Sequence, residues 1–351
     1  MTTTPKVTII IPVYNVEQYL RQCLNSVVNQ TMREIQIICV NDGSPDNSLA
    51  ILQEYAARDS RIEIIDKPNG GLSSARNAAY PSIKGKQTLF VDSDDWIDLD
   101  LCEKTYQKAK ETNADMTLFS YQGESEQGTG TPGMFRTITS EDKTTVKEKL
   151  PVLHYPVAWG KLWRTDFLLD NKLYFPEGLA FEDNLVNWQA VTLADKISVV
   201  PEQLYHYRIR SGSIVQTRGK HMMDIIPIYV KIREYLLESD YYATYRDEFI
   251  QQKLYAWHNH YHGVPRSLKP RYRMMVRDGL SVDDREFYRS APEELVRKIA
   301  KKFYAMLDGG PLEAVNYHFS QIIFTVAKVV KMPKRLLLQK IIKRTKDRLG
   351  I

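Results

Sequence analysis

Three acidic residues follow a run of bulky apolar residues near position 90. Residues 89–96 read LFVDSDDW, so Asp92 and Asp94 alternate as in a strand and point to the same side. Two such carboxylates repel each other unless a cation relieves them, and Mg²⁺ or Mn²⁺ shared with a phosphate is the typical solution. The alternative is an acidic turn that caps the next helix, with Asp95 or Asp98 as the N-cap.

A second acidic pair, Glu182-Asp183, lies in the stretch FPEGLAFEDN at residues 175–184, just before a helical pattern. A carboxylate placed in this way can remove a proton from a substrate hydroxyl, which is general base catalysis. Acids are also structurally favourable at a helix N-terminus, so the residues alone leave both interpretations open.

Alternating strand and helix patterns position the acids near residue 92. Apolar runs at residues 7–11, 35–40, 61–66 and 89–91 predict buried strands, with periodic helical stripes between them. This alternation predicts an α/β fold with a parallel sheet, which binds ligands at the carboxyl ends of its strands. The pattern loosens from about residue 100 and looks helical beyond residue 221.

Five short motifs occur in order along this region. They are VTIIIPVYN (7–15), VNDGS (40–44), NGGLSSARN (69–77), DSDD (92–95) and FEDN (181–184). Together they resemble the family-2 glycosyltransferases, inverting enzymes of the GT-A fold, which is Rossmann-like with a mostly parallel sheet flanked by helices. The resemblance implies a catalytic domain over residues 1–220, with a nucleotide-sugar half (1–100) and an acceptor half (101–220). Residues 221–351 are predicted to form a mainly helical C-terminal extension.

The resemblance also implies roles for named residues. Those implied to bind the nucleotide-sugar are Pro12, Val13, Tyr14, Asn15, Asp42, Asn69, Arg76, Asp92 and Ser93. Tyr14 and Asp42 would hold the base and Arg76 the diphosphate. Asp183 would be the catalytic base, with Glu182 positioning the acceptor. The structural alternatives are a Tyr14 packed beneath the next helix, a plain turn at Asp42 and an exposed Arg76.

A metal site belongs to the same resemblance. It implies that Asp94 ligates Mg²⁺ or Mn²⁺ directly, that Asp92 contacts the ribose or the metal, and that His206 is a candidate further ligand. A lone His is usually not a ligand, so this residue also has a structural alternative. Trp159 and Trp163 either stack on a sugar ring or belong to the core.

The predicted activity is inverting, metal-dependent transfer of a sugar from a nucleotide-sugar, most simply a UDP-sugar, to a saccharide hydroxyl. The resemblance points to bacterial surface or exopolysaccharide synthesis, with a lipid-linked glycan as one kind of acceptor. A non-catalytic module for nucleotide-sugar binding or assembly is the alternative from another class. A nucleotidyltransferase is a third hypothesis, but the sequence lacks the basic phosphate loop that it predicts.

Composition bounds the remaining expectations. The chain has 351 residues, a net charge of +5 and three widely spaced cysteines, which predicts free thiols in a reducing cytoplasm. No signal peptide or membrane-spanning stretch is evident. Residues 331–351 form a basic amphipathic tail with eight Lys or Arg and one Asp. This tail can contact the inner face of the cell membrane, or pack on the body or on a second copy in a homo-oligomer. No nucleic-acid-binding motif appears.

Overall fold

The computed structural model of the protein describes residues 4–125, 141–210 and 217–290 and residue 306. The chain divides into two compact units, Met1–Thr217 with Pro227–Thr244 and Arg218–Ile226 with Tyr245–Ile351. The domain boundary at residue 220 stays a prediction. The basic tail at residues 331–351 lies outside the described residues.

An eight-stranded sheet forms the centre of the first unit. Its strands are β1 (Val7–Val13), β2 (Ile35–Asp42), β3 (Ile62–Lys67), β4 (Gln87–Phe90), β5 (Trp96–Ile97), β6 (Met116–Ser125), β7 (Lys161–Arg164) and β8 (Ile197–Ile209). They lie in the order β3-β2-β1-β4-β7-β6-β8-β5. The pairs β1–β2, β2–β3, β1–β4 and β6–β8 are parallel, whereas β7 pairs antiparallel with β4 and β6, and β5 with β8. The sheet is therefore mixed, parallel across β3-β2-β1-β4 and between β6 and β8, and its first half confirms the predicted α/β class.

Helices flank the sheet and continue beyond it. The helices before residue 200 are α1 (Glu17–Val28), α2 (Ser48–Ala56), α3 (Leu72–Ala78), α4 (Leu101–Thr112), α5 (Val146–Lys149), α6 (Thr165–Asp170) and α7 (Asp183–Leu193). Those after it are α8 (Ile225–Glu238), α9 (Tyr242–Tyr261), α10 (Lys269–Gly279) and α11 (Val282–Ser290). The predicted helical C-terminal region is therefore confirmed over residues 221–290, and nearly all of the remainder, residues 291–351, lies outside the described residues.

Parallel pairing brings several motifs to one edge of the sheet. All residues of β1 and β2 are buried, as expected for central strands covered on both faces. Val13 pairs with Asn41, and Ile10 pairs with Phe90. Because parallel strands end on the same side, the residues that follow β1, β2 and β4 all lie at that edge.

The described ranges contain no helix that is both long and apolar enough to cross a membrane. Cys23, Cys39 and Cys102 are buried and free, which confirms the expectation of unpaired thiols.

The end of α6 offers a test of backbone strain. Lys172 follows the C-cap with a left-handed φ of +52°, and the N–H groups of Lys172 and Leu173 close the helix on the carbonyls of Leu169 and Leu168. Glycine adopts this conformation without a Cβ clash, so Lys172→Gly should raise the free energy of unfolding by about 1 kcal/mol. Urea denaturation measures the change, and Lys172→Ala, which keeps the Cβ atom, is the control that should show no gain. A Gly variant no more stable than the Ala variant would contradict the strain argument.

Candidate active site

The chain turns outward at the end of β1, at Tyr14 and Asn15. Tyr14 keeps 48% of its surface exposed, whereas Pro12 and Val13 are buried within the strand. Asn15 has a left-handed φ of +53°. Its N–H donates to the Ser44 hydroxyl, which in turn donates to the Val13 carbonyl. The turn leaves the Tyr14 ring open to stack on a flat ligand, which disagrees with the alternative that Tyr14 packs beneath a helix.

Asp42 is buried at the end of β2 and shapes the loop that follows β3. Its Oδ1 accepts hydrogen bonds from Lys67 Nζ at 2.6 Å and from the Gly70 N–H at 2.9 Å. Its Oδ2 accepts from the Gly71 N–H at 2.8 Å. Asp42 therefore fixes the loop that carries the exposed Asn69, a role beyond that of a plain turn residue. Direct contact of Asp42 or Asn69 with a nucleotide stays a prediction.

Arg76 lies between two carboxylates. Its Nη2 donates to Asp92 Oδ1 at 3.0 Å and its Nη1 donates to Glu182 Oε1 at 2.7 Å. The guanidinium also lies 4.9 Å from the centre of the Phe175 ring. Because Arg76 is only 2% exposed, the alternative of an exposed helix arginine is wrong. This one side chain joins the end of β4 to the start of α7.

Asp92 and Asp94 lie at the edge of the sheet with about a quarter of each side chain exposed, 24% and 23%. Burial raises the pKa of Asp92, and the nearby Arg76 charge partly opposes that rise. Arg210 Nε donates to Asp94 Oδ2 at 2.7 Å. Ser93, between the two acids, is buried. Each acid thus has its own cation on one carboxylate oxygen.

The donor set of these two acids fits a divalent ion. The second oxygens, Asp92 Oδ2 and Asp94 Oδ1, have no hydrogen-bond partner among the residues that the structure describes. Mg²⁺ is typically bound through one or two carboxylates, with substrate phosphates and water as the other ligands. These two carboxylates therefore offer the type of ligand that such an ion takes, and metal binding by them stays a prediction.

His206 lies apart from these acids. Its Nε2 is 2.8 Å from Asp98 Oδ1, its Nδ1 is 3.4 Å from Glu124 Oε1, and its ring stacks on Trp96 with the ring centres 5.0 Å apart. Over the described ranges, no group of three His, Cys, Asp or Glu side chains is placed to hold a metal. The structure therefore does not bring His206 together with the two aspartates as a third ligand.

The two tryptophans before the acidic pair are both buried. The Trp159 ring stacks on Tyr205 with ring centres 4.3 Å apart, and Trp163 Nε1–H donates to the Ala158 carbonyl. Both indoles therefore belong to the core.

Asp95 and Tyr205 stabilise the turn formed by residues 92–95. The sequence analysis assigned neither of them to ligand binding or catalysis. The buried Asp95 carboxylate accepts from the Tyr205 hydroxyl and from the Arg208 N–H, both at 2.7 Å. The Tyr205 hydroxyl also accepts from the Asp92 N–H at 3.1 Å. Burial raises the pKa of Asp95 well above its ordinary value. The capping alternative is wrong, because the next helix has Asp100 as its N-cap.

Removing the Tyr205 hydroxyl tests this support. Tyr205→Phe leaves the Asp95 carboxylate and the Asp92 N–H each one partner short, so we expect the free energy of unfolding to fall by about 1–3 kcal/mol. Urea denaturation measures the loss. Tyr55→Phe is the matched control, because its hydroxyl bonds to Asn25 at an exposed position. Equal losses in the two variants would show that the buried hydrogen bonds of Tyr205 add no more to the free energy of unfolding than an exposed hydrogen bond does.

The second acidic pair marks the start of α7. Phe181, just before it, has a strained left-handed φ of +66°. Glu182 is the N-cap residue but makes no capping hydrogen bond, because its carboxylate is bound to Arg76. Burial raises the pKa of Asp183 to about 7, Glu182 adds to the rise, and the Arg76 and Lys161 charges oppose it. A partly exposed carboxylate with such a pKa is suited to accept a proton near neutral pH.

Comparisons with known proteins agree on one family. The family model described as "Glycosyl transferase family 2" matches residues 8–166. EpsH of Bacillus subtilis (strain 168), a relative named as a glycosyltransferase, is 36% identical over 259 residues, which cover 70% of this chain and 73% of EpsH. Poly(ribitol-phosphate) beta-N-acetylglucosaminyltransferase TarS of Staphylococcus aureus (strain MW2) is 28% identical over 254 residues, 71% of this chain but only 44% of TarS.

A solved structure supports the same assignment. The crystal structure of S. aureus TarS 1-349 in complex with UDP-GlcNAc matches with a TM-score of 0.57 and 25% identity, covering 81% of this chain and 91% of that one. The likeness confirms the predicted GT-A fold. Taken with the family match and the identity to EpsH, it shows that the chain belongs to glycosyl transferase family 2 and is a glycosyltransferase.

Proposed function

We propose that this glycosyltransferase moves a sugar, with inversion, from a UDP-sugar to a saccharide hydroxyl during synthesis of a cell-surface polysaccharide, and that it needs a divalent metal ion. TarS supports the choice of donor, because it was crystallised with UDP-GlcNAc. Its name, which specifies transfer of N-acetylglucosamine to poly(ribitol phosphate), supports a surface polymer as the class of acceptor.

The observation that carries the proposal is the position of Arg76. Arg76 binds two carboxylates simultaneously. One is Asp92, in the motif assigned to the sugar donor, and the other is Glu182, next to Asp183, the residue assigned to deprotonate the acceptor. Transfer requires the anomeric carbon of the donor and the hydroxyl of the acceptor to meet. An arginine that joins the two motifs in one buried ion pair supports such a meeting point.

Asp183 would act as the base. As the acceptor oxygen bonds to the anomeric carbon, the bond from that carbon to the diphosphate breaks, and the hydroxyl proton passes to the Asp183 carboxylate. A single displacement of this kind inverts the configuration. The pKa near 7 supports this role, because general bases work best when their pKa lies close to the operating pH.

The donor side would use the remaining residues. Tyr14 would stack on the nucleobase, and Asp42 would hold the loop against the nucleotide. Arg76, buried between Asp92 and Glu182, would hold Asp92 in place beside the diphosphate and would not reach the diphosphate itself. Asp94 and Asp92 would hold Mg²⁺ or Mn²⁺, which when bound supplies Lewis-acid stabilisation of the leaving diphosphate. A lipid-linked acceptor, membrane contact through the tail and self-association remain predictions, as does a location at the inner face of the membrane.

A donor panel tests the proposal. Full-length protein with Mn²⁺ is incubated with UDP-GlcNAc, UDP-glucose, UDP-galactose, GDP-mannose or dTDP-glucose, and the release of free nucleotide is measured. We expect release of UDP from at least one UDP-sugar, and loss of that release with EDTA. A non-catalytic binding or assembly module would bind UDP but release none. For the active donor, proton NMR of the released sugar, recorded before it mutarotates, should show the opposite anomeric configuration, and retention would overturn the inverting assignment.

A further inference from the structure

Lys161, the first residue of β7, is a completely buried lysine with 0% of its surface exposed. Its Nζ donates to the carbonyls of Tyr155 at 2.7 Å and Val157 at 2.6 Å. The Tyr155 and Trp163 rings also face the ammonium, at 5.0 and 5.9 Å from their centres. Within the described part of the chain, no carboxylate lies within ion-pair distance of it. A buried charge without an ion pair is costly, so its retention calls for a reason.

The segment bound by Lys161 is also tied to α7. Asn187, one helical turn after Asp183, donates its side-chain amide to the carbonyls of Val152 at 3.1 Å and Leu153 at 3.4 Å. Residues 152–157 are thus held from one side by the helix that carries Asp183 and from the other by Lys161. This double attachment fixes the ammonium relative to the start of α7, the helix that begins at Asp183.

We propose that Lys161 is a positioning residue for Asp183: its hydrogen bonds hold the segment to which α7 is tied, and in its ammonium form it favours the carboxylate form of Asp183. The inference rests on the proposed role of Asp183 as the base. It adds a residue that never touches the substrate but sets the pH range in which the base works.

The charges around Asp183 favour this assignment. Glu182 and Asp92 raise its pKa, whereas Arg76 and Lys161 lower it. Arg76 is already bound by Glu182 and Asp92, so much of its charge is compensated. Burial lowers the pKa of Lys161 to about 7, and Asp183 is the carboxylate that opposes this decrease. The ammonium and Asp183 therefore stabilise each other's charged forms.

Lys161→Met is the direct test, because it keeps the length of the side chain and removes the charge. The readout is the pH profile of UDP release from the active UDP-sugar in the full-length enzyme with Mn²⁺. Loss of a nearby opposite charge should move the acid limb of the kcat profile up by about one pH unit or more. We expect a roughly tenfold lower kcat at pH 6.5, near recovery at pH 9, and UDP affinity within about twofold of wild type.

Lys149→Met is the matched control. Lys149 is also buried and donates to a backbone carbonyl, that of Ala194, but the acids near it are Asp195 and Asp115. This variant can lose stability, yet its acid limb should stay in place. Lys161→Arg, which retains the charge, should keep the limb near that of the wild type.

A Lys161→Met enzyme whose kcat falls equally at every pH would overturn the proposal and leave Lys161 a structural residue. If that variant does not fold, NMR of the ¹⁵N-labelled lysine ammonium groups decides: Asp183→Asn should lower the pKa of Lys161, and an unchanged titration refutes the coupling. The two proposals can be refuted separately. If Asp183→Asn still transfers sugar, the assignment of Asp183 as the base is wrong. If Asp183→Asn is inactive but the acid limb of the kcat profile does not move in Lys161→Met, only the role of Lys161 is wrong.

Discussion

Replacing Asp183 with asparagine should reduce sugar transfer by about 10²–10⁴-fold, the usual contribution of a general base. The amide has nearly the same shape as the carboxylate but cannot take the acceptor proton. The residues assigned to the nucleotide lie on other elements, so UDP binding measured by calorimetry should stay within about twofold of wild type. The measurement is UDP release from the active donor in the presence of acceptor.

The pH dependence of the wild-type enzyme gives the same prediction a second readout. Because the pKa of Asp183 is raised to about 7, the base is mostly protonated below that pH. We therefore expect kcat to fall as the pH decreases through about 7 and to level off above it. Glu177→Gln is the control, since Glu177 is an exposed acid of the same segment. Undiminished transfer by Asp183→Asn would contradict the base assignment.

Replacing Arg76 with methionine should have the largest effect on stability. The substitution leaves Glu182 and Asp92, with side chains only 9% and 24% exposed, without their shared cation. Removing one partner of a buried ion pair typically costs about 3–5 kcal/mol, because the other charge stays buried and unpaired. Urea denaturation with fluorescence detection measures the loss. Binding of UDP should weaken as well, since the donor and acceptor motifs lose their connection.

Two further variants separate the buried ion pair from ordinary charge effects. Arg21→Met breaks an exposed pair with Glu54 and should leave the denaturation midpoint unchanged. The double variant Arg76→Met with Glu182→Gln should recover part of the loss, because it removes one of the stranded charges. A single Arg76→Met variant as stable as wild type would contradict the role of Arg76 as the link.

The sequence predicted the parts of the fold that depend on local pattern. The buried runs in β1 and β2, the acids after β4 and the helix after Asp183 are all where periodicity and motif placed them. The antiparallel insertion of β7 between β4 and β6 was not predictable in this way, because β4 lies three strands earlier in the chain and residues 126–160 separate β6 from β7. Strand order is decided by packing between distant segments, and no local propensity encodes it.

In the site, too, the sequence indicated which residues matter but not which residues they bind. The motifs identified Arg76 and Asp92, but the bond from Arg76 to Glu182 spans 106 residues and has no local signal. Tyr205 was visible only as one of several aromatic residues, and its bond to Asp95 appears only once β8 lies beside β5. The only sequence signal for this bond was Asp95 itself, the third acid of the run. A carboxylate that becomes buried needs a hydrogen-bond donor, but the sequence does not say which residue supplies it.

The acids after β4 have the central role in the proposed activity, which is to hold a nucleotide together with a divalent ion. Calorimetric titration of UDP into the full-length protein, with and without Mn²⁺, tests it directly. We expect Mn²⁺ to tighten UDP binding by at least about tenfold in the wild type, and Asp94→Asn to abolish that difference. UDP uptake that is the same with and without Mn²⁺, and the same in both proteins, would contradict the account.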